Sequence, residues 1–107
     1  MDYSSKLMKL SQEIFVSLDQ EDEWQEFQTF FGEIHPDFTE KLFSLSGNTL
    51  STSEMRLGML LRLNLSSKEI ASITQVTPDS VRVARYRLRR KLPIETKEEL
   101  ASYLLSI

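Results

Sequence analysis

Helix-start signals punctuate the second half of this chain closely enough to fix what it can become. Ser51-Thr-Ser-Glu54, Ser66-Ser-Lys-Glu69 and Thr96-Lys-Glu-Glu99 each set a hydroxyl three residues ahead of a glutamate. In such a capping box the hydroxyl accepts from the third residue's N–H while the carboxylate reaches back to the first residue's N–H. Thr77-Pro78 adds an N-cap threonine followed by a proline, whose fixed φ suits the first helical position. Alternating with apolar runs, these four starts predict helices near 52–63, 66–73, 78–91 and 97–105.

The first half is also helical in pattern. Leu7, Leu10, Ile14 and Leu18 recur at spacings of 3, 4 and 4, a stripe that serves either as intramolecular core or as a dimer seam. A second helix is predicted from near Asp19, carrying Trp24, Phe27, Phe31 and Ile34 inward, with Glu21-Asp22-Glu23 at its dipole-favoured start. His35-Pro36 reads as a corner, with Pro36 at the first position of a third helix that buries Phe38 and Leu42. The break at Ser46-Gly-Asn-Thr49 is the clearest turn signal and marks a boundary. No repeat and no alternating strand pattern is present. The expected fold is therefore all-α: a helical extension over 1–48 and a tetrahelical helix-turn-helix domain over 49–107. The rings Trp24, Phe27, Phe30, Phe31 and Phe38 are read as core that packs the extension onto that domain.

Composition narrows the chemistry. With 107 residues and no cysteine there is no disulfide framework, thiolate nucleophile or thiolate metal site. His35 is the only histidine, so imidazole clusters and Ser/His pairing are excluded unless it serves alone. No catalytic site, metal or cofactor is expected. No apolar run approaches the roughly 18 residues of a membrane span, and the opening Met1 to Leu10 lacks a signal-peptide core, so a cytoplasmic protein is expected.

The net charge of -3 conceals an asymmetry. Residues 1–49 hold three lysines against ten acids, whereas residues 50–107 hold ten Lys/Arg against six acids. Within the basic half, Arg82, Arg85, Arg87, Arg89, Arg90 and Lys91 crowd one predicted helix that contains a single acid, Asp79. That helix follows the 66–73 helix after a turn of about four residues, the layout of a helix-turn-helix, in which the second helix enters the major groove. Val81, Ala84, Leu88 and Leu92 step by 3, 4 and 4 and define its inward face, with Ala71, Ile70, Ile73 and Val76 packing around the turn. The outward face is then Asp79, Arg82, Val83, Tyr86, Arg89 and Arg90. Its N-terminal members Arg82, Val83 and Tyr86 are placed to read bases, Val83 by touching a thymine methyl. Arg85, Arg87, Arg89, Arg90 and Lys91 are assigned to phosphates, with Lys68, Ser80 and the cap hydroxyl of Thr77 as further phosphate contacts.

Residues 50–92 resemble the LuxR-type helix-turn-helix of bacterial transcription regulators. The matching positions are Leu50 and Glu54, Lys68-Glu69-Ile70-Ala71, Ser80-Val81 and Lys91-Leu92. Ala84 stands where the family often has histidine, and Thr74 where it usually has leucine. The resemblance implies a four-helix DNA-binding domain, with base contacts at Arg82, Val83 and Tyr86. It also implies a homodimer formed through the last helix, here Leu100, Ala101 and Leu104.

The expected function is a sequence-specific double-stranded-DNA-binding transcription regulator, the output part of a system whose sensor lies upstream or in a partner chain. Two alternatives share the same residues. The basic helix is similar to the promoter-reading region of sigma factors, or it docks on an acidic protein partner or on the chain's own acidic half.

Overall fold

The computed structural model describes residues 21–107, so the stripe from Leu7 to Leu18 lies outside the described residues, as does the start of the second predicted helix near Asp19. Six helices follow: α1 (Glu21–Ile34), α2 (Phe38–Leu45), α3 (Thr52–Arg62), α4 (Ser67–Thr74), α5 (Pro78–Arg90) and α6 (Leu100–Ser106). The described chain is all-α, without a strand.

One helix organises the others. Leu57, Gly58, Met59, Leu60 and Leu61 of α3 are all buried, so this helix needs neighbours on every side. It has them: α2, α5 and α6 pack against it, and α4 packs against α5. Close approach between α3 and α2 depends on Gly58. A Cβ built there would lie 2.5 Å from Cδ2 of Leu42, which is itself fully buried and has nowhere to retreat.

α1 and α2 join the same core. Trp24, Phe27, Phe31, Phe38 and Leu42 belong to one continuous cluster with Leu60, Leu88 and Leu104, so residues 21–48 share a core with the rest. Trp24 and Phe27 meet edge-on at 5.6 Å between centroids, and Phe31 meets Phe38 likewise at 5.5 Å. Arg56 of α3 lies over the Trp24 ring at 4.7 Å, a further tie between α1 and α3.

The corner and the break are both built by turn chemistry. His35 accepts from the Phe38 N–H at 3.3 Å, and Asp37 has φ -104 and ψ -1, the geometry of a type I turn with Pro36 at its second position. Pro36 therefore belongs to the turn, and the third predicted helix begins at Phe38 instead, because the His35 carbonyl is taken by the N–H three residues on and the first bond spanning four residues runs from the Lys41 N–H to the Asp37 carbonyl. At the break, Gly47 and Asn48 take left-handed φ of 69 and 61. Buried Ser46 fastens the loop by donating from Oγ to the Phe43 carbonyl at 2.7 Å, while its own carbonyl accepts from Thr49 Oγ1 at 2.7 Å.

Two of the three capping boxes form. Ser51 Oγ accepts from the Glu54 N–H at 3.2 Å, and Ser66 Oγ accepts from the Glu69 N–H at 3.1 Å, each with the reciprocal carboxylate bond. The third does not. α6 starts at Leu100 with Glu99 as an uncapped N-cap, and Glu98 N–H donates to Glu95 in a preceding turn. The helix expected from residue 97 loses its first turn because the carbonyls of Glu95, Thr96 and Glu98 are held by Arg89, as described below.

The last helix also corrects an expectation. Leu100 and Leu104 are 4% and 0% exposed and belong to the core, and Ala101 is half-buried. Their apolar faces are used within the chain, where α6 packs on α3, so Leu100 and Leu104 are not open to a second copy.

Two pairs of substitutions test this packing by urea unfolding. Gly58→Ala should lose about 1 kcal/mol, since overpacking against Leu42 outweighs the gain in helix propensity, whereas Gly32→Ala in α1, with open space around it, should gain about 1 kcal/mol. Ser66→Ala should cost about 1 kcal/mol by removing a formed cap, and Thr96→Ala should change stability by less than about 0.5 kcal/mol.

Candidate nucleic-acid interface

α4 and α5 are joined by Gln75, Val76 and Thr77 alone. Such a short turn needs a residue that reverses the backbone, and Gln75 does so with φ 58 and ψ 40. Its N–H donates to the Ala71 carbonyl, and the Val76 N–H donates to the same carbonyl at 3.1 Å, closing α4. Thr77 then caps α5: its Oγ1 accepts from the Ser80 N–H at 3.1 Å and lies 2.9 Å from Ser80 Oγ. Buried Ile70, Ala71, Val81 and Leu88 hold the pair of helices together. Val76, expected to pack around the turn, is 48% exposed. It forms the lip of a cleft of about 360 Å³ behind the turn, walled by Trp24, Leu57, Leu60, Ile70 and Val81.

Burying Val81, Leu88 and Leu92, with Ala84 half-buried, fixes which side of α5 faces out. Asp79, Arg82, Val83, Tyr86, Arg87 and Arg90 are exposed together along it. Val83 and Tyr86 stand out at 49% and 60% exposure, large apolar surfaces placed between arginines. Arg90 lies over the Tyr86 ring at 5.8 Å, and Arg82 Nη1 donates to Asp79 Oδ1 at 2.6 Å. A shallow hollow floored by Val83 and Ala84 lies between Asp79 and Arg87. All three residues expected to read bases therefore share one open face, and Lys68 on α4 is exposed as well.

The basic residues expected on phosphates divide into two groups. Arg85 Nη1 donates to Ser67 Oγ at 2.8 Å, tying α5 to the first turn of α4. Arg89 is half-buried and turned away from the open face: Nη1 donates to the Glu98 carbonyl, and Nη2 donates to those of Glu95 and Thr96 at 2.8 and 3.1 Å. Lys91 Nζ meets Glu54 Oε1 at 2.7 Å and the Thr49 carbonyl at 3.0 Å, joining the end of α5 to the start of α3. These three side chains brace the fold, and the exposed arginines on the helix are Arg82, Arg87 and Arg90.

Sequence reasoning missed the bracing because its partners are remote or invisible in pattern. Glu54 and Lys91 are 37 residues apart, and Arg89 binds backbone carbonyls of a loop, which carry no residue signature.

Electrostatics follow the same contacts. Burial by itself would raise the Glu54 pKa, but hydrogen bonds from Lys91 and from the Ser51 N–H and hydroxyl, with the ammonium charge, hold it below the ordinary value. His35 packs against Phe31 with ring centroids 5.1 Å apart and planes tilted by 49°, and burial, then the charge of Arg62, lowers its pKa. No group of three or more metal-ligating side chains occurs among the described residues. No helix among them is long and apolar enough to cross a membrane.

Comparison with family models, curated proteins and solved structures finds no match to this chain.

The Glu54 clasp predicts a pH dependence. Because its folded pKa is depressed, its contribution is fully present above the unfolded value of about 4.5 and is lost as pH falls through the folded value. Glu54→Gln keeps the cap acceptor but removes the charge. Its stability deficit against the wild type, read by urea unfolding, should be largest above pH ~5 and shrink toward pH ~3.

Proposed function

We propose that this chain is a sequence-specific double-stranded-DNA-binding transcription regulator that lays α5 in the major groove. The observation that carries the reading is the exposed stripe of Arg82, Val83, Tyr86 and Arg90 on a helix whose opposite face is buried. A major groove admits a helix and offers guanine acceptors, thymine methyls and flanking phosphates to one side of it. The stripe supplies donors and apolar surface to that side, with Arg82 and Val83 in the N-terminal half where a recognition helix meets base edges. The resemblance to LuxR-type regulators points the same way, and under it the chain is an output part that takes its signal from an upstream domain or a partner chain.

Arg82, Val83 and Tyr86 read bases in this proposal. Arg87, Arg90 and Lys68 neutralise phosphates, with Ser80 and Thr77 at the helix start beside them. Arg85, Arg89 and Lys91 position the helix. With three exposed cations on phosphates, the salt slope is smaller than the whole basic run would give: about -3 in log K against log salt, at about -0.9 per phosphate. Should the regulator pair on a two-fold site, the pairing surface is one other than the buried Leu100 and Leu104.

Fluorescence anisotropy with duplexes enriched from a random pool tests the reading. Arg82→Ala should cost about 1–3 kcal/mol and relax preference at one base pair, while Arg90→Ala should weaken all duplexes alike and lower the salt slope by about 1. Arg89→Gln should lower stability and leave the slope unchanged. Binding that no sequence improves, together with a salt-insensitive affinity, would refute the proposal.

A further inference from the structure

Asp79 is the only acid on α5, and it stands on the face that carries the exposed arginines. Its side chain is 90% exposed and that of Arg82 is 66% exposed, so their 2.6 Å ion pair lies in solvent, where such pairs contribute little to folding. The ion pair therefore does not account for a carboxylate at this place, and the helix dipole favours an acid in the first turn without requiring one on the face that carries the arginines. On a surface that approaches a polyanion it is unfavourable unless the nucleic acid supplies a donor to meet it.

Resting on the DNA-binding reading above, we propose that Asp79 and Arg82 act as one reading unit for a G·C pair, with Asp79 as the residue that excludes the others. The major-groove edge of G·C presents the N7 and O6 acceptors of guanine and, beside them, the N4 amino donor of cytosine. Arg82 donates to the guanine acceptors, and the free lone pairs of Asp79 accept from the cytosine amino group. The Asp79 contact at Nη1 restrains the guanidinium before binding, so less side-chain freedom is lost on docking. At an A·T pair the match fails in both places. An arginine donor meets the adenine amino group, and the carboxylate meets the O4 acceptor of thymine with no proton between them. Away from any such site, Asp79 repels the backbone and lowers affinity for unselected DNA. Specificity thus comes from a repulsive element as much as from an attractive one.

The test is selection from random duplexes by the full 107-residue chain, with Asp79→Ala, Asp79→Asn and Arg82→Ala in parallel and folding checked by circular dichroism. The wild type should enrich sites with one invariant G·C pair. Both Asp79 variants should bind unselected duplex about threefold or more tightly and tolerate other pairs at that position. Replacing its guanine by 7-deazaguanine, which removes the N7 acceptor, should cost the wild type about tenfold and Arg82→Ala almost nothing. If the wild type selects a motif and both Asp79 variants keep it unaltered, the inference is wrong and the DNA-binding reading stands. The same holds if they lose affinity on all duplexes without a change in preference, which marks a merely structural role at the helix start. If the wild type enriches no duplex at all, both readings fall.

Discussion

The fold hangs on the burial of α3 along its whole circumference. Five consecutive buried residues, Leu57 to Leu61, cannot be satisfied by one flanking helix, so the chain must wrap this helix with α2, α5 and α6. Gly58 is the point where that demand becomes steric. Only without a side chain there can Leu42 seat itself and draw the aromatic cluster of α1 and α2 into the core that also holds Leu88 of α5. Residues 21–48 are thus a structural part of the same body, and the orientation of α5 inherits its rigidity from the helix behind it.

Under the proposed function, α5 must be held by contacts that leave its exposed face open. In this chain the two tasks fall to residues of the same type on one segment. Arg85, Arg89 and Lys91 reach inward or sideways to Ser67, to loop carbonyls, and to Glu54 and Thr49. Arg82, Arg87 and Arg90 stay on the open face. Helical period alone does not make this division: positions 82 and 89 are seven residues apart and share a face, yet Arg89 has the carbonyls of Glu95 and Thr96 within reach while Arg82 meets only Asp79 of its own helix. A count of basic residues therefore overstates how much charge reaches a ligand.

Much of the architecture was legible because it rests on local chemistry. The starts of α3, α4 and α5 fall where the capping boxes and Thr77-Pro78 place them, since a cap is satisfied by residues three positions apart and needs no distant partner. The inward face of α5 followed from periodicity for the same reason. Thr96 to Glu99 shows the limit of that logic. An equally good local signal was overridden when a remote arginine claimed the carbonyls of that segment, and the helix began a turn later.

The sequence by itself determined that the described chain is helical, where α3, α4 and α5 begin, and which stripe of α5 is apolar, because propensity, caps and period are properties of neighbouring residues. It also concentrated the positive charge on that helix and left a lone acid there. Only the tertiary structure decided which cations remain on the open face and that Leu100 and Leu104 belong to the core. Those outcomes depend on which surfaces meet across tens of residues, and a cation's partner is chosen by geometry that no local pattern encodes.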